Sequence, residues 1–232
     1  MALILLIETA TTSCSVALAL DGYVLAVKQI NERNKHAEAI TIFINDVVTG
    51  SGYTFPDLDA VAVSCGPGSY TGLRIGTSVA KGLCFALNIP LIAIETLEAM
   101  AYGAIYNSGL DFKMESLFCP MIDARRMEVY CAVFNSQGDR VVPTTASIID
   151  ENSFIELLSD HEVLFFGDGA DKCRSMLGEQ PHARFLSSFE NSAKFLSQKA
   201  SQKYLANDFV DVAYFEPFYL KDFIAGKKVF TT

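Results

Sequence analysis

The sequence predicts an α/β protein of two lobes, each a mixed β-sheet flanked by helices. Three observations carry this. The opening run "LILLIE" is apolar without alternation, the pattern of a strand covered on both faces. Hairpin-linked strands are followed by strands that alternate with helical periods, so antiparallel pairs and crossover units share a sheet. The order β-β-β-α at residues 2–49 recurs near 117–159, so the second half echoes the first. The lobes are expected to span residues 1–106 and 107–232, with the boundary near "NSGLDFKMES" and the tail returning to the first lobe.

Each element has its own warrant. "CSVALAL" and "YVLAVKQI" flank Asp21-Gly22, a two-residue hairpin signal. "HAEAITIFINDVVTGSG" places Ile40, Ile44 and Val47 on one helical face and ends in glycine. "LDAVAVSC" and "IPLIAIE" read as strands, and "TGLRIGTSVAKGLCFAL" and "TLEAMAYGAIYN" as helices. In the second half, "SLFCPMIDA", "EVYCAVFN" and "RVVPTTASII" are strands and "SFIELLSD" a short helix. "HEVLFFGDG" is a strand running into glycines, and "SAKFLSQKASQKYLA" a late helix.

Composition bounds the function. Of 232 residues, 50% are apolar and 19% charged, which excludes disorder. A net charge of −9 argues against a broad basic face for nucleic acid, so any RNA is expected to be held mostly by other subunits. No apolar run approaches a membrane span, and the N-terminus reads as lacking a cationic secretory leader. Six cysteines without CxxC spacing read as small core residues in a reducing compartment. The chain is therefore expected to be cytoplasmic.

Three loops are candidates for chemistry. "CGPGSYTG" sits between a strand and a helix but fits neither the P-loop nor the dinucleotide fingerprint. It reads either as a tight turn or as an anion site at a helix start. "IETATTSCSVAL" supplies a carboxylate and hydroxyls, and "FFGDGADKC" two further glycines. Gly72, Gly76, Ala80 and Cys84 recur every fourth residue in the helix after the first loop. Interior glycines cost about 1 kcal/mol each against alanine, usually offset by close approach of another backbone. That backbone belongs either to the chain itself or to another subunit. His36, His161 and His182 include no i, i+4 pair and there is no G-x-S-x-G elbow, so no catalytic constellation is visible. Glu128 and Tyr130 are best read as strand residues.

Four segments, "IETATTSCSVAL", "GPGSYTGLRIGTSVAKGL", "IDARRMEVY" and "EPFYLKD", resemble in order the signatures of the TsaB (YeaZ) family. The resemblance implies a two-lobed fold of the acetate and sugar kinase/Hsp70/actin type (ribonuclease H-like), with a degenerate second lobe. It implies a non-catalytic partner subunit in forming N6-threonylcarbamoyladenosine at position 37 of ANN-reading tRNAs. The catalyst would be a TsaD-like paralogue with a metal-binding HxxxH pair; here His36 is followed at the fourth place by Ile40. A TsaE-like ATPase would join, the chain alone would form a homodimer, and tRNA would be reached only through the complex. No cofactor would be required by this chain, ATP and metal acting on the partner subunits.

The resemblance also implies a pairing surface on the helices near 36–49 and 71–86, carrying His36, Ile40, Phe43, Ile44 and Val47, with Gly72, Arg74, Gly76, Val79 and Ala80. On that expectation Gly76→Leu blocks partner binding and leaves the chain folded or mildly destabilised. Glu8, Thr9, Thr11, Gly66, Gly68, Ser69, Gly167 and Gly169 would be vestiges of a nucleotide site. Glu8 stands where such chains commonly have Asp. The competing readings are a glycoprotease-like peptidase and an independent ATP-binding, kinase-like protein of the same superfold.

Overall fold

A computed structural model describes residues 1–107 and 112–221. The proposed lobe boundary near 107–116 and Asp222 of the last family segment therefore fall partly or wholly outside the described residues.

The first sheet begins with β1 (Leu3–Glu8), all six residues buried, as its uniform hydrophobicity requires. β2 (Ser13–Leu20) and β3 (Tyr23–Asn31) follow antiparallel. Asp21 (φ 50°) and Gly22 (φ 84°) make their turn, both left-handed as a type I′ hairpin demands. α1 (His36–Gly50) packs Ile40, Ile44, Val47 and Val48 onto this sheet. β4 (Ala60–Ser64) and β5 (Leu91–Ile94) pair parallel, joined by α2 (Tyr70–Leu87). α2 starts at Ser69, whose hydroxyl accepts from the Gly72 amide, and stops at left-handed Asn88. α3 (Thr96–Asn107) leads out of the lobe. The order is β3-β2-β1-β4-β5.

The second sheet repeats it. β6 (Leu117–Asp123), β7 (Glu128–Phe134) and β8 (Arg140–Ile148) form the antiparallel part. α4 (Ile155–Asp160) precedes β9 (Val163–Phe166), which lies parallel to β6. The order β8-β7-β6-β9-β10 matches the first sheet strand for strand. Two elements had not been expected. α5 (Ala170–Leu177) follows the third glycine loop, burying Ala170, Cys173 and Leu177, and β10 (Ala183–Phe185) closes the edge.

The late helix begins as a tight 3-10 turn at Ala193–Leu196 and continues as α6 (Ser197–Leu205). It lies on the first sheet, not the second: the Ala193 amide donates to Ser15 Oγ (2.7 Å), and Phe195, Leu196 and Ala200 pack with Ile4, Leu6 and Ala17. The chain then bridges β5 through Val210 and Leu91, and the Phe218 amide donates to the Cys65 carbonyl (2.7 Å). All six cysteines are free, and five are buried.

Candidate functional site

The cleft between the lobes is built from the turn after β1, the glycine loop before α2 and the loop after β9. Burial of the β1 terminus leaves Glu8 with no exposed surface. One carboxyl oxygen accepts from the Ala10 amide (2.6 Å); the other has no hydrogen-bond partner, with Ser64 and Asn191 facing it. Burial pushes the Glu8 carboxyl up to about 7, outweighing these neighbours.

The glycine loop is filled by the chain itself. The Ser69 amide donates to the Ala10 carbonyl (2.7 Å) and the Gly66 amide to Thr96 Oγ1 (3.1 Å). The Gly72 amide is taken by the Ser69 cap, and the Thr9 hydroxyl donates to the Gly72 carbonyl (2.8 Å). A Cβ on Gly68 would meet Ala10, on Gly72 the Thr9 carbonyl, on Gly76 the Thr9 hydroxyl, and on Gly66 the Phe218 carbonyl. The Gly66, Ser69 and Gly72 amides of the loop thus face protein acceptors. Gly167 and Gly169 likewise fit against Met121 and Ile122 at the end of β6. Gly66, Gly68, Gly72, Gly167 and Gly169 are thus packed closely against the chain itself, with Thr9 and Ser69 bonded within it.

A cavity of about 70 Å³ remains, lined by Thr11, Thr12, Ser13, Asn31, Asp168, Glu190 and Asn191 among others. Thr11 uses its carbonyl for the imidazole Nε2 of His36 (2.9 Å) and its hydroxyl for the Ser13 amide (3.2 Å). Among the described residues no group of three or more His, Cys, Asp or Glu is placed to hold a metal ion.

The pairing surface needs correction. Ile40, Ile44, Val47, Gly72, Gly76 and Ala80 are buried in the chain's own core, and His36 is 8% exposed. Gly72 and Gly76 of the small-residue stripe meet Thr9 while Ala80 and Cys84 pack into the core, the answer that spacing alone left open. Phe43 and Val79 are half-buried against the core, and only Arg74 of the ten is exposed, its guanidinium over the Tyr70 ring (4.2 Å). The residues that α1 and α2 present outward include Glu38, Thr41, Ile42 and Asn45, with Thr71, Arg74, Ser78, Gly82 and Phe85. Ile42 is 59% and Phe85 86% exposed. Beside Phe85 an open groove of about 610 Å³ runs between α2 and residues 211–213, lined by Lys81, Gly82, Phe85 and Val212. Single residues such as Phe85 carry a weak sequence signal, because their exposure depends on where the tail returns.

The model of the family described as "TsaD: tRNA N6-adenosine threonylcarbamoyltransferase" matches residues 26–226. The tRNA threonylcarbamoyladenosine biosynthesis protein TsaB of Bacillus subtilis is 30% identical over 179 residues, covering 75% of this chain and 74% of that protein. The chain belongs to the TsaB family. TsaB of Escherichia coli is 41% identical over 131 residues, 56% of this chain. The chain spans about half the length of the Escherichia coli and Haemophilus influenzae TsaB proteins, 54% and 51%. The solved structure of YeaZ from Pseudomonas aeruginosa matches with a TM-score of 0.78 at 26% identity, covering 95% of this chain and all of that one. The TsaB-type architecture therefore extends across nearly the whole chain, both sheets included. No helix among the described residues is long and apolar enough to cross a membrane.

Proposed function

We propose that this chain acts in the cytoplasm as a non-catalytic partner subunit in forming N6-threonylcarbamoyladenosine at position 37 of ANN-reading tRNAs. It supports a metal-dependent, TsaD-like transferase, a TsaE-like ATPase joins them, and the chain self-associates when alone. ATP and metal act on the partner subunits, which also supply most of the contact with tRNA. One observation carries this reading: the cleft is packed by the chain's own turn, loop and tail, while Ile42 on α1 and Phe85 on α2 stand exposed on an otherwise polar outer face. A kinase-like reading needs a pocket of at least about 300 Å³ for a nucleotide, against about 70 Å³ in this cleft. A peptidase needs an activated nucleophile or a metal; the one imidazole near the cleft is bonded to the Thr11 carbonyl.

The deciding experiment reconstitutes tRNA threonylcarbamoylation from the organism's transferase and ATPase, with and without this chain. Modification that requires the chain, which is inactive alone, supports the reading. Equal modification without it, or stoichiometric metal on the purified chain, rejects it. The docking face has its own prediction. Phe85→Asp is expected to leave the melting temperature unchanged, because the ring contributes little to the core, and to weaken transferase binding by about 2 kcal/mol, roughly thirtyfold. Calorimetric titration that finds affinity unchanged for both Phe85→Asp and Ile42→Asp would remove this face from the interface.

A further inference from the structure

The "IDARRMEVY" segment has a part that neither the fold nor the proposed pairing uses: the reversal between β6 and β7. Arg125 (φ 71°) and Arg126 (φ 52°) both sit in the left-handed region, where each non-glycine residue is disfavoured. The turn is held by the Arg125 amide on Asp123 Oδ1 (2.9 Å), the Ala124 amide on the Glu128 carbonyl (3.1 Å) and the Glu128 amide on the Arg125 carbonyl (3.2 Å). Arginine thus stands at two successive places where glycine would relieve the backbone. Such conformations cost about 1–3 kcal/mol each and cluster at functional sites.

The charges around the turn are unevenly satisfied. Asp123 pairs with Lys172, whose ammonium also reaches the Glu128 carbonyl, and Glu128 pairs with Lys221 (2.6 Å). Asp168 accepts the Asp123 amide (3.0 Å). Every carboxylate of the cluster therefore has a partner. The Arg125 and Arg126 side chains are exposed and have neither ion pair nor hydrogen bond among the described residues. Tyr130 lies within electrostatic reach of Arg125 and Lys221. In a chain of net charge −9, the turn presents two adjacent uncommitted cations, the first within electrostatic reach of Tyr130.

We infer that the Arg125–Arg126 turn grips phosphates of an RNA backbone, making it the point where this subunit touches the tRNA. Guanidinium groups bind phosphate in bidentate fashion, and cations beside an aromatic ring suit a nucleic-acid strand. RNA is favoured over an acidic protein because the proposed function, on which this inference rests, brings a polyanion to the complex. The contact is small, in keeping with the acidity of the rest of the chain.

The test uses the reconstituted complex and unmodified tRNA. The variants are Arg125→Glu/Arg126→Glu, and Arg125→Gly/Arg126→Gly, which removes both guanidinium groups while suiting the backbone. Both are expected to assemble with the transferase as wild type does and to weaken tRNA binding about tenfold, the charge reversal more. Losing two phosphate contacts lowers the slope of log K against log salt by about 1.4–1.8. Unchanged affinity and slope in both variants overturns the inference. So does loss of assembly in both, which would make the turn a protein contact. The proposed function fails separately, by modification that proceeds without the chain.

Discussion

Gly76→Leu is expected to destabilise the isolated chain by about 3 kcal/mol or more, at the upper end of overpacking penalties. A Cβ at Gly76 already falls on the Thr9 hydroxyl, and leucine adds three further carbons. Thr9 cannot step aside without losing its 2.8 Å bond to the Gly72 carbonyl, the neighbouring link between the same two elements. Gly72→Ala is expected to be comparable, since its Cβ would meet backbone, the Thr9 carbonyl. A denaturant titration of each variant reads this directly. A midpoint equal to wild type would place the stripe on the outside and restore the pairing surface first expected from the sequence. Partner binding lost by either variant would follow from unfolding, so Phe85, not Gly76, is the position at which to test docking.

Glu8→Gln is expected to stabilise the chain by about 3 kcal/mol at pH 8 and to have little effect at pH 4.5. The sign follows from the direction of the shift. The carboxyl titrates at about 7 folded against its ordinary 4.5. Below 4.5 both states carry the proton. Between 4.5 and about 7 the unfolded chain ionises while the folded chain resists, so wild-type stability falls as pH rises and levels off above 7. Glutamine can still accept from the Ala10 amide and offers its own amide to the unpartnered Ser64 hydroxyl. Unfolding free energies measured from pH 4.5 to 8 for the two proteins should therefore diverge. Parallel curves would mean that Glu8 ionises freely and that the cleft admits water.

The sequence disclosed the elements better than their surroundings. Asp21-Gly22 fixed one hairpin because a two-residue turn has few solutions, and the unalternating run before Glu8 could only be a covered strand. The repeat of β-β-β-α foretold two lobes, and the two strand orders agree. α5 was missed although Ala170, Cys173 and Leu177 carry a helical spacing, because only eight residues supply it and two glycines precede it. The role of the glycine stripe was beyond reach for a different reason: periodicity shows that a face is small, not whose backbone approaches it. The state of Glu8 depends on Asn191, and the exposure of Phe85 on residues 211–213, both remote in the chain. Nor does any residue pattern in "DARRM" announce two left-handed arginines.

The return of the tail carries a consequence for biosynthesis. Ser15 waits for the amide of Ala193, 178 positions later, and the Cys65 carbonyl for that of Phe218. β1 and β2 leave the ribosome first, yet the residues that cover one face of their sheet are translated only after the whole second lobe. Domains generally fold as units in order of synthesis. Here the second lobe can close, β6 through β10, while the first still exposes Ile4, Leu6 and Ala17. The lobe made first is the lobe finished last, and during that interval its bare face is what a chaperone would meet.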